Sequence, residues 1–161
     1  MKPDLEIRLM EEADVPAVAA IEAVSFSEPW SEASFRSILK REDALYLTAV
    51  SDGCVAGMCG LLIGPYEAEV FNVAVSPQLR GQGIAGRMIA ELMRRGEERG
   101  VRDFTLEVRA SNAAAIHLYE KNGFMSEGTR PRFYSNPEED ALIMWRRGGL
   151  SSCTNHCEKN K

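Results

Sequence analysis

Apolar positions along the chain switch period repeatedly, and each switch marks an element. Residues 5–10 read as a first strand, and residues 11–24 follow as a helix with Val15, Val18, Ile21 and Val24 at helical spacing. Asp14 ahead of Pro16 marks its start. Ser25-Phe26-Ser27-Glu28-Pro29-Trp30 interrupts, with Pro29 as the breaker, and Ser31 is placed to cap a second helix predicted to about Arg41. Apolar runs over 44–50 and 54–63 flank Ser51-Asp52-Gly53, a hairpin signal. Residues 67–75 form another strand, stopped by Pro77. A glycine-rich turn leads into a helix predicted to about Arg99, with Ile84, Met88, Ile89, Leu92 and Met93 on its apolar face and Gly100 closing it. Residues 103–109 alternate strictly, as a strand does. Ser111 or Asn112 starts a helix that runs through Lys121 and stops at Asn122-Gly123, and residues 124–127 and 141–145 read as the last two strands. The order β-α-α-β-β-β-α-β-α-β-β predicts an α/β fold: a mixed sheet, part antiparallel and part parallel, with helices on both faces.

Composition narrows the class. A chain of 161 residues, 45% hydrophobic and 27% charged, fits one domain with a real core. No apolar run reaches the roughly 18 residues of a membrane helix. Lys2, Asp4, Glu6 and Arg8 at the start argue against a secretory signal. A cytoplasmic address without membrane association is the expectation. The net charge of −5 argues against nucleic acid as a partner and suits a basic substrate. Cys54, Cys59, Cys153 and Cys157 are expected as free thiols. Cys153-Thr154-Asn155-His156-Cys157 is an incomplete ligand set, so no metal is expected. The domain is placed at residues 1–147, with a flexible tail over 148–161.

Chemistry enters at Arg80-Gly81-Gln82-Gly83-Ile84-Ala85-Gly86, between a strand and a helix. Such a turn offers backbone N–H groups and the helix dipole to a pyrophosphate, and glycines let the phosphates approach. Gly81, Gly83 and Gly86 also match the G-x-G-x-x-G dinucleotide fingerprint. The context rejects that match. The turn follows the fourth strand rather than the first, and Asp103 precedes a strand instead of ending one.

Arg80 to Ala85 resemble the Q/R-x-x-G-x-G/A motif of the GNAT family of N-acetyltransferases, and the element order is similar over residues 5–146. Further likeness lies in Phe71-Asn72-Val73-Ala74-Val75, in the stretch of residues 106–116, and in Leu118-Tyr119-Glu120 and Pro29-Trp30-Ser31. These resemble the branch that acetylates the N-terminal alanine of bacterial ribosomal proteins. The resemblance implies a sheet of about seven strands, mostly antiparallel, with a bulge in the fourth strand and a V-shaped splay between strands four and five. It implies acetyl-CoA as cosubstrate, its pantetheine against Val73, Ala74 and Val75, its pyrophosphate on Arg80, Gly81, Gln82, Gly83, Ile84, Ala85 and Gly86, and a contact from Asn112. The implied partner is a protein N-terminus, that of a ribosomal protein.

Acetyl transfer needs a neutral amine, and an α-amine, with pKa about 7.7–8.0, is roughly one-tenth neutral at pH 7. A modest base suffices. Glu107 is the candidate, the alternative being a solvated carboxylate paired with Arg109. Tyr119 is the candidate acid for the departing thiolate, its ordinary pKa near 10 lying close to that of a thiol, about 8.5. The alternative is a core tyrosine packed on Ile116. His117 falls on another helix face and is expected at the surface. Trp30 and Arg132-Phe133-Tyr134 either flank a peptide groove or anchor packing, and Glu28, Glu32, Glu138 and Glu139 are candidates to attract a basic tail. A lysine or small-molecule amine acetyltransferase, or a non-catalytic acyl-CoA sensor, stays open on the same residues.

Overall fold

The computed structural model describes residues 4–148. The expectation for Cys153, His156 and Cys157 therefore lies outside the described residues, as does the tail apart from Gly148. Strands β1 (Leu5–Leu9), β2 (Ala44–Ser51), β3 (Cys54–Ile63), β4 (Glu67–Val75), β5 (Asp103–Arg109), β6 (Met125–Tyr134) and β7 (Glu139–Arg147) form one sheet in the order β1-β2-β3-β4-β5-β7-β6. The β4–β5 pair is parallel and the other five pairs are antiparallel. Helices α1 (Val15–Ser25), α2 (Glu32–Leu39), α3 (Ile84–Glu98) and α4 (Ala113–Lys121) complete the chain.

Alternation in the strands produces two cores, one on each face of the sheet. Leu45, Leu47 and Ala49 of β2 pack in one core with Met88, Ile89 and Leu92 of α3 and Tyr119 of α4. Tyr46 and Met58 pack in the other, with Val15, Val18 and Ile21 of α1 and Phe35 and Ile38 of α2. Local signals placed the joints. Asp52 and Gly53 take the left-handed conformations a two-residue hairpin requires (φ 50° and 81°). Ser31 caps α2, its hydroxyl accepting from the Ser34 amide at 3.1 Å.

The last two strands are longer than the sequence predicts. β6 runs through Gly128 and Pro131, residues that normally interrupt a strand. It tolerates them because it is an edge strand, exposed along nearly its whole length, with register shifts at Ser126/Gly128 and Arg130/Tyr134. Arg132-Phe133-Tyr134, which lie between the last two strands the sequence predicts, therefore belong to β6.

Candidate active site

The parallel ladder between β4 and β5 is short: Glu67 pairs with Asp103, Ala68 with Phe104 and Glu69 with Thr105, and there it ends. Beyond that point the two strands part, and a cleft of about 510 Å³ opens between them. Glu69, Phe71, Asn72 and Val73 line one wall, and Leu106, Glu107, Val108 and Arg109 the other. Asn112 and Tyr119 also line it, as do Trp30 and the α1–α2 loop.

What forces β4 away is a bulge. The β3–β4 register slips between Met58–Ala74 and Gly60–Phe71, so Asn72 and Val73 together oppose Cys59. Asn72 is left-handed, φ 57°, a conformation that costs a non-glycine residue about 1–2 kcal/mol. Side chains from two other parts of the chain hold it. The Tyr46 hydroxyl donates to Asn72 Oδ1 at 2.8 Å, and Asn72 Nδ2 donates to both oxygens of Glu22 at 3.1 Å. The Trp30 amide donates to Glu22 Oε2 at 3.0 Å. Glu22 is only 2% exposed, and burial raises its carboxyl pKa above the usual carboxylate range, against the opposing pull of the Trp30 and Asn72 hydrogen bonds. Nothing in the sequence reading singled out Glu22. Its only local signal is a carboxylate on the α1 face that also carries Val15, Val18 and Ile21. Trp30 packs on Phe35, Tyr46 and Phe71 with ring centroids 5.4, 6.1 and 6.4 Å away, and it lines the cleft as well. It therefore anchors packing and faces the groove.

After the bulge, Val73, Ala74 and Val75 lead through a short turn at Pro77–Leu79 to the glycines. Gly81 and Gly83 both have φ 80°, and a Cβ built on either meets nothing within 4 Å. Gly83 is the N-cap of α3 and makes no side-chain cap bond, so no capping side chain takes up the helix's first N–H groups. Gln82 is exposed and Ile84 is buried in the core, while Ala85 packs against that core. A Cβ at Gly86 would meet Leu118 of α4 at 3.8 Å, an ordinary packing distance. Arg80 is turned back: Nε donates to the Val75 carbonyl at 3.0 Å and Nη2 to Ser25 Oγ at 3.3 Å. Asn112 caps α4, accepting from the Ala115 amide at 3.1 Å, while lining the cleft.

Glu107 faces the cleft with its side chain 16% exposed. Its ion-pair partner is Arg130 of β6 at 3.3 Å, not Arg109. Arg109 is taken by Glu139 at 3.3 Å and by the Ser135 and Pro137 carbonyls, and it lies 4.5 Å from the Tyr134 ring centroid. Tyr119 is 8% exposed and packs edge-on to Phe124 at 5.8 Å. Its hydroxyl makes no hydrogen bond among the described residues. Burial pushes its pKa well above 10, so the close match to a thiol drawn from ordinary values does not hold. Tyr134 at the mouth is pushed up to about 12, by burial first and then by Glu107. His117 is exposed. Of the acidic candidates, Glu32 pairs with Arg36, Glu138 with Arg132 and Glu139 with Arg109, while Glu28 lines the cleft without an ion pair among the described residues.

Glu69 was not anticipated. It is half-buried in the β4 wall, and its carboxyl pKa is raised by burial and by Glu107, with Arg130 opposing. Among the described residues no three His, Cys, Asp or Glu side chains gather as a metal site, and no helix is long and apolar enough to cross a membrane.

The profile of the acetyltransferase (GNAT) family matches residues 15–124. The [ribosomal protein bS18]-alanine N-acetyltransferase of Escherichia coli strain K12 is 39% identical over 140 residues, covering 86% of this chain and 94% of that protein. The N-alpha-acetyltransferase RimI of Mycobacterium tuberculosis is 36% identical over 155 residues, covering 89% and 92%. The crystal structure of the Escherichia coli ribosomal-protein-S18-alanine N-acetyltransferase superposes with a TM-score of 0.82 at 37% identity, over 89% of this chain and 94% of that one. Family match, relatives and fold agree: the chain belongs to the GNAT acetyltransferase family.

Proposed function

We propose that the protein transfers an acetyl group from acetyl-CoA to the N-terminal α-amine of a protein, that of a ribosomal protein beginning with alanine. The observation that supports this most is the cleft itself: it opens where β4–β5 pairing stops, and carboxylates stand on both walls. The relatives named for alanine N-acetylation are similar over nearly their full length, which favours an α-amine over a lysine or a small molecule.

Bound acetyl-CoA supplies an activated acetyl group. Val73 in the cleft wall, with Ala74 and Val75 after it, offers backbone to the pantetheine, and the uncrowded turn at Gly81 and Gly83, leading into α3, takes the pyrophosphate. Glu107 takes the amine proton, directly or through a water, and Arg130 holds its carboxylate in place. The backbone N–H near Val73 stabilises negative charge developing on the acyl oxygen. Tyr119, kept protonated by burial, donates a hydrogen bond to the departing sulfur.

The test is release of free thiol from acetyl-CoA with an alanine-started peptide, against the same peptide blocked at its N-terminus. Turnover confined to the free peptide supports the reading. Equal rates with both peptides, or activity on ε-amines alone, overturn it.

A further inference from the structure

Glu69 makes no hydrogen bond and no ion pair among the described residues, although it is half-buried in the wall of the cleft. It is the last β4 residue paired to β5, opposite Thr105. Partners across a parallel ladder project to the same side, and Thr105 and Glu107 are two apart, so Glu69 and Glu107 share one face where the strands part. The charges that reach Glu69 are Glu107 from β5 and Arg130 from β6. Arg130 is committed to Glu107 at 3.3 Å. Around Glu69, two carboxylates thus face one cation, which is ion-paired to Glu107 and acts on Glu69 only without direct contact. Burying a carboxylate without a partner is costly, so a group that stays in this state is completed by what binds there.

We propose that Glu69 docks the substrate's α-ammonium, orienting it beside Glu107; the assignment rests on the reading of the cleft as an α-amine site. About nine-tenths of an α-amine is protonated at pH 7, so the substrate arrives as a cation. A carboxylate already in the wall of the cleft gives that cation a charge-assisted hydrogen bond, which a blocked N-terminus lacks. Docking and proton removal are then divided between two groups. Glu69 selects and holds the charged amine, and Glu107 accepts the proton. Affinity for the peptide falls as pH drops and Glu69 becomes protonated, and falls again above about pH 8 as the α-amine loses its charge.

The experiment is calorimetric titration of the CoA-loaded protein with an alanine-started peptide and its N-acetylated counterpart, across pH. The wild type is expected to favour the free amine by about tenfold or more near neutral pH, the worth of one charge-assisted hydrogen bond. Glu69→Gln is expected to lose most of that discrimination and the acid limb of the pH curve, while binding of CoA alone is unchanged. Glu69→Asp, which keeps the charge, restores part of the discrimination and guards against a merely structural effect. Full discrimination in Glu69→Gln, or none in the wild type, overturns the proposal. Discrimination lost in Glu69→Gln but no acetylation of any α-amine by the wild type upholds the docking role and overturns the proposed function instead.

Discussion

Removing the Glu22 carboxylate tests whether the bulge, and not the strand ends, creates the cleft. Glu22 accepts from the Trp30 amide at 3.0 Å and from Asn72 Nδ2 at 3.1 Å. The Asn72 amide cannot simply flip, because its oxygen is held by the Tyr46 hydroxyl at 2.8 Å. In Glu22→Ala two part-buried donors lose their acceptor, at about 1–3 kcal/mol each. Part of this is returned, because the mutant no longer buries a carboxylate whose burial already disfavours its charge. A net loss of about 2–4 kcal/mol in unfolding free energy follows. Glu22→Gln keeps one acceptor oxygen but points an NH₂ at the other donor, so its loss is smaller, about 1–2 kcal/mol. Neither variant touches the glycine turn. With the Glu22 side of its clamp gone, Asn72 is held left-handed by Tyr46 alone, and relaxing the bulge offsets about 1–2 kcal/mol of that loss as backbone strain is released. That motion misplaces the Val73 amide, and kcat/KM for acetyl-CoA should fall by about tenfold or more, 1.4 kcal/mol being tenfold in rate. Urea denaturation and steady-state kinetics read the two effects. Glu22→Ala with wild-type stability and wild-type kcat/KM would refute the reasoning.

Three further outcomes are expected. Glu107→Gln and Tyr119→Phe should each lower kcat by about a hundredfold or more at saturating acetyl-CoA, with CoA binding by calorimetry unchanged; unchanged rates would remove both from the chemistry. Gly83→Ala has room for its methyl group but not the backbone freedom for φ 80°, so stability should drop by about 1–2 kcal/mol and CoA affinity with it; a fully retained affinity would place the pyrophosphate elsewhere. Asp14 is held below the usual carboxylate range by its hydrogen bonds from Arg8, at 2.7 and 2.9 Å. A depressed native pKa means stability present above the unfolded value, about 3.9, and lost as pH falls through the native one. Asp14→Asn should therefore be less stable than wild type at neutral pH, with the gap narrowing below about pH 4; a gap that stays constant contradicts the assignment.

The elements legible in the sequence are those fixed by short-range chemistry. Asp52-Gly53, the Ser31 cap and the five apolar positions of α3 each depend on neighbours within a turn or two, and all took the places expected of them. The glycine turn was also legible, because positive φ at Gly81 and Gly83 is a property of the residue type. β6 was not. An edge strand that buries little shows no alternation, and Gly128 and Pro131 look like breaks until the sheet edge makes them harmless. The Glu22–Asn72 clamp spans 50 positions and the Glu107–Arg130 pair spans two strands, so neither leaves a local pattern. Glu69 escaped notice for the same reason: its meaning comes from Glu107 and Arg130 on other strands, not from its sequence neighbours.

The central claim is that the parted strands and the glycine turn together grip the acyl carrier. Backbone amide NMR during a CoA titration tests it most directly. The account predicts shifts concentrated at Val73 to Val75, at Gly81 to Gly86 and at Asn112, with β1 and the Asp52-Gly53 hairpin unmoved. Shifts gathered on another face of the sheet, or none at saturating CoA, would contradict it.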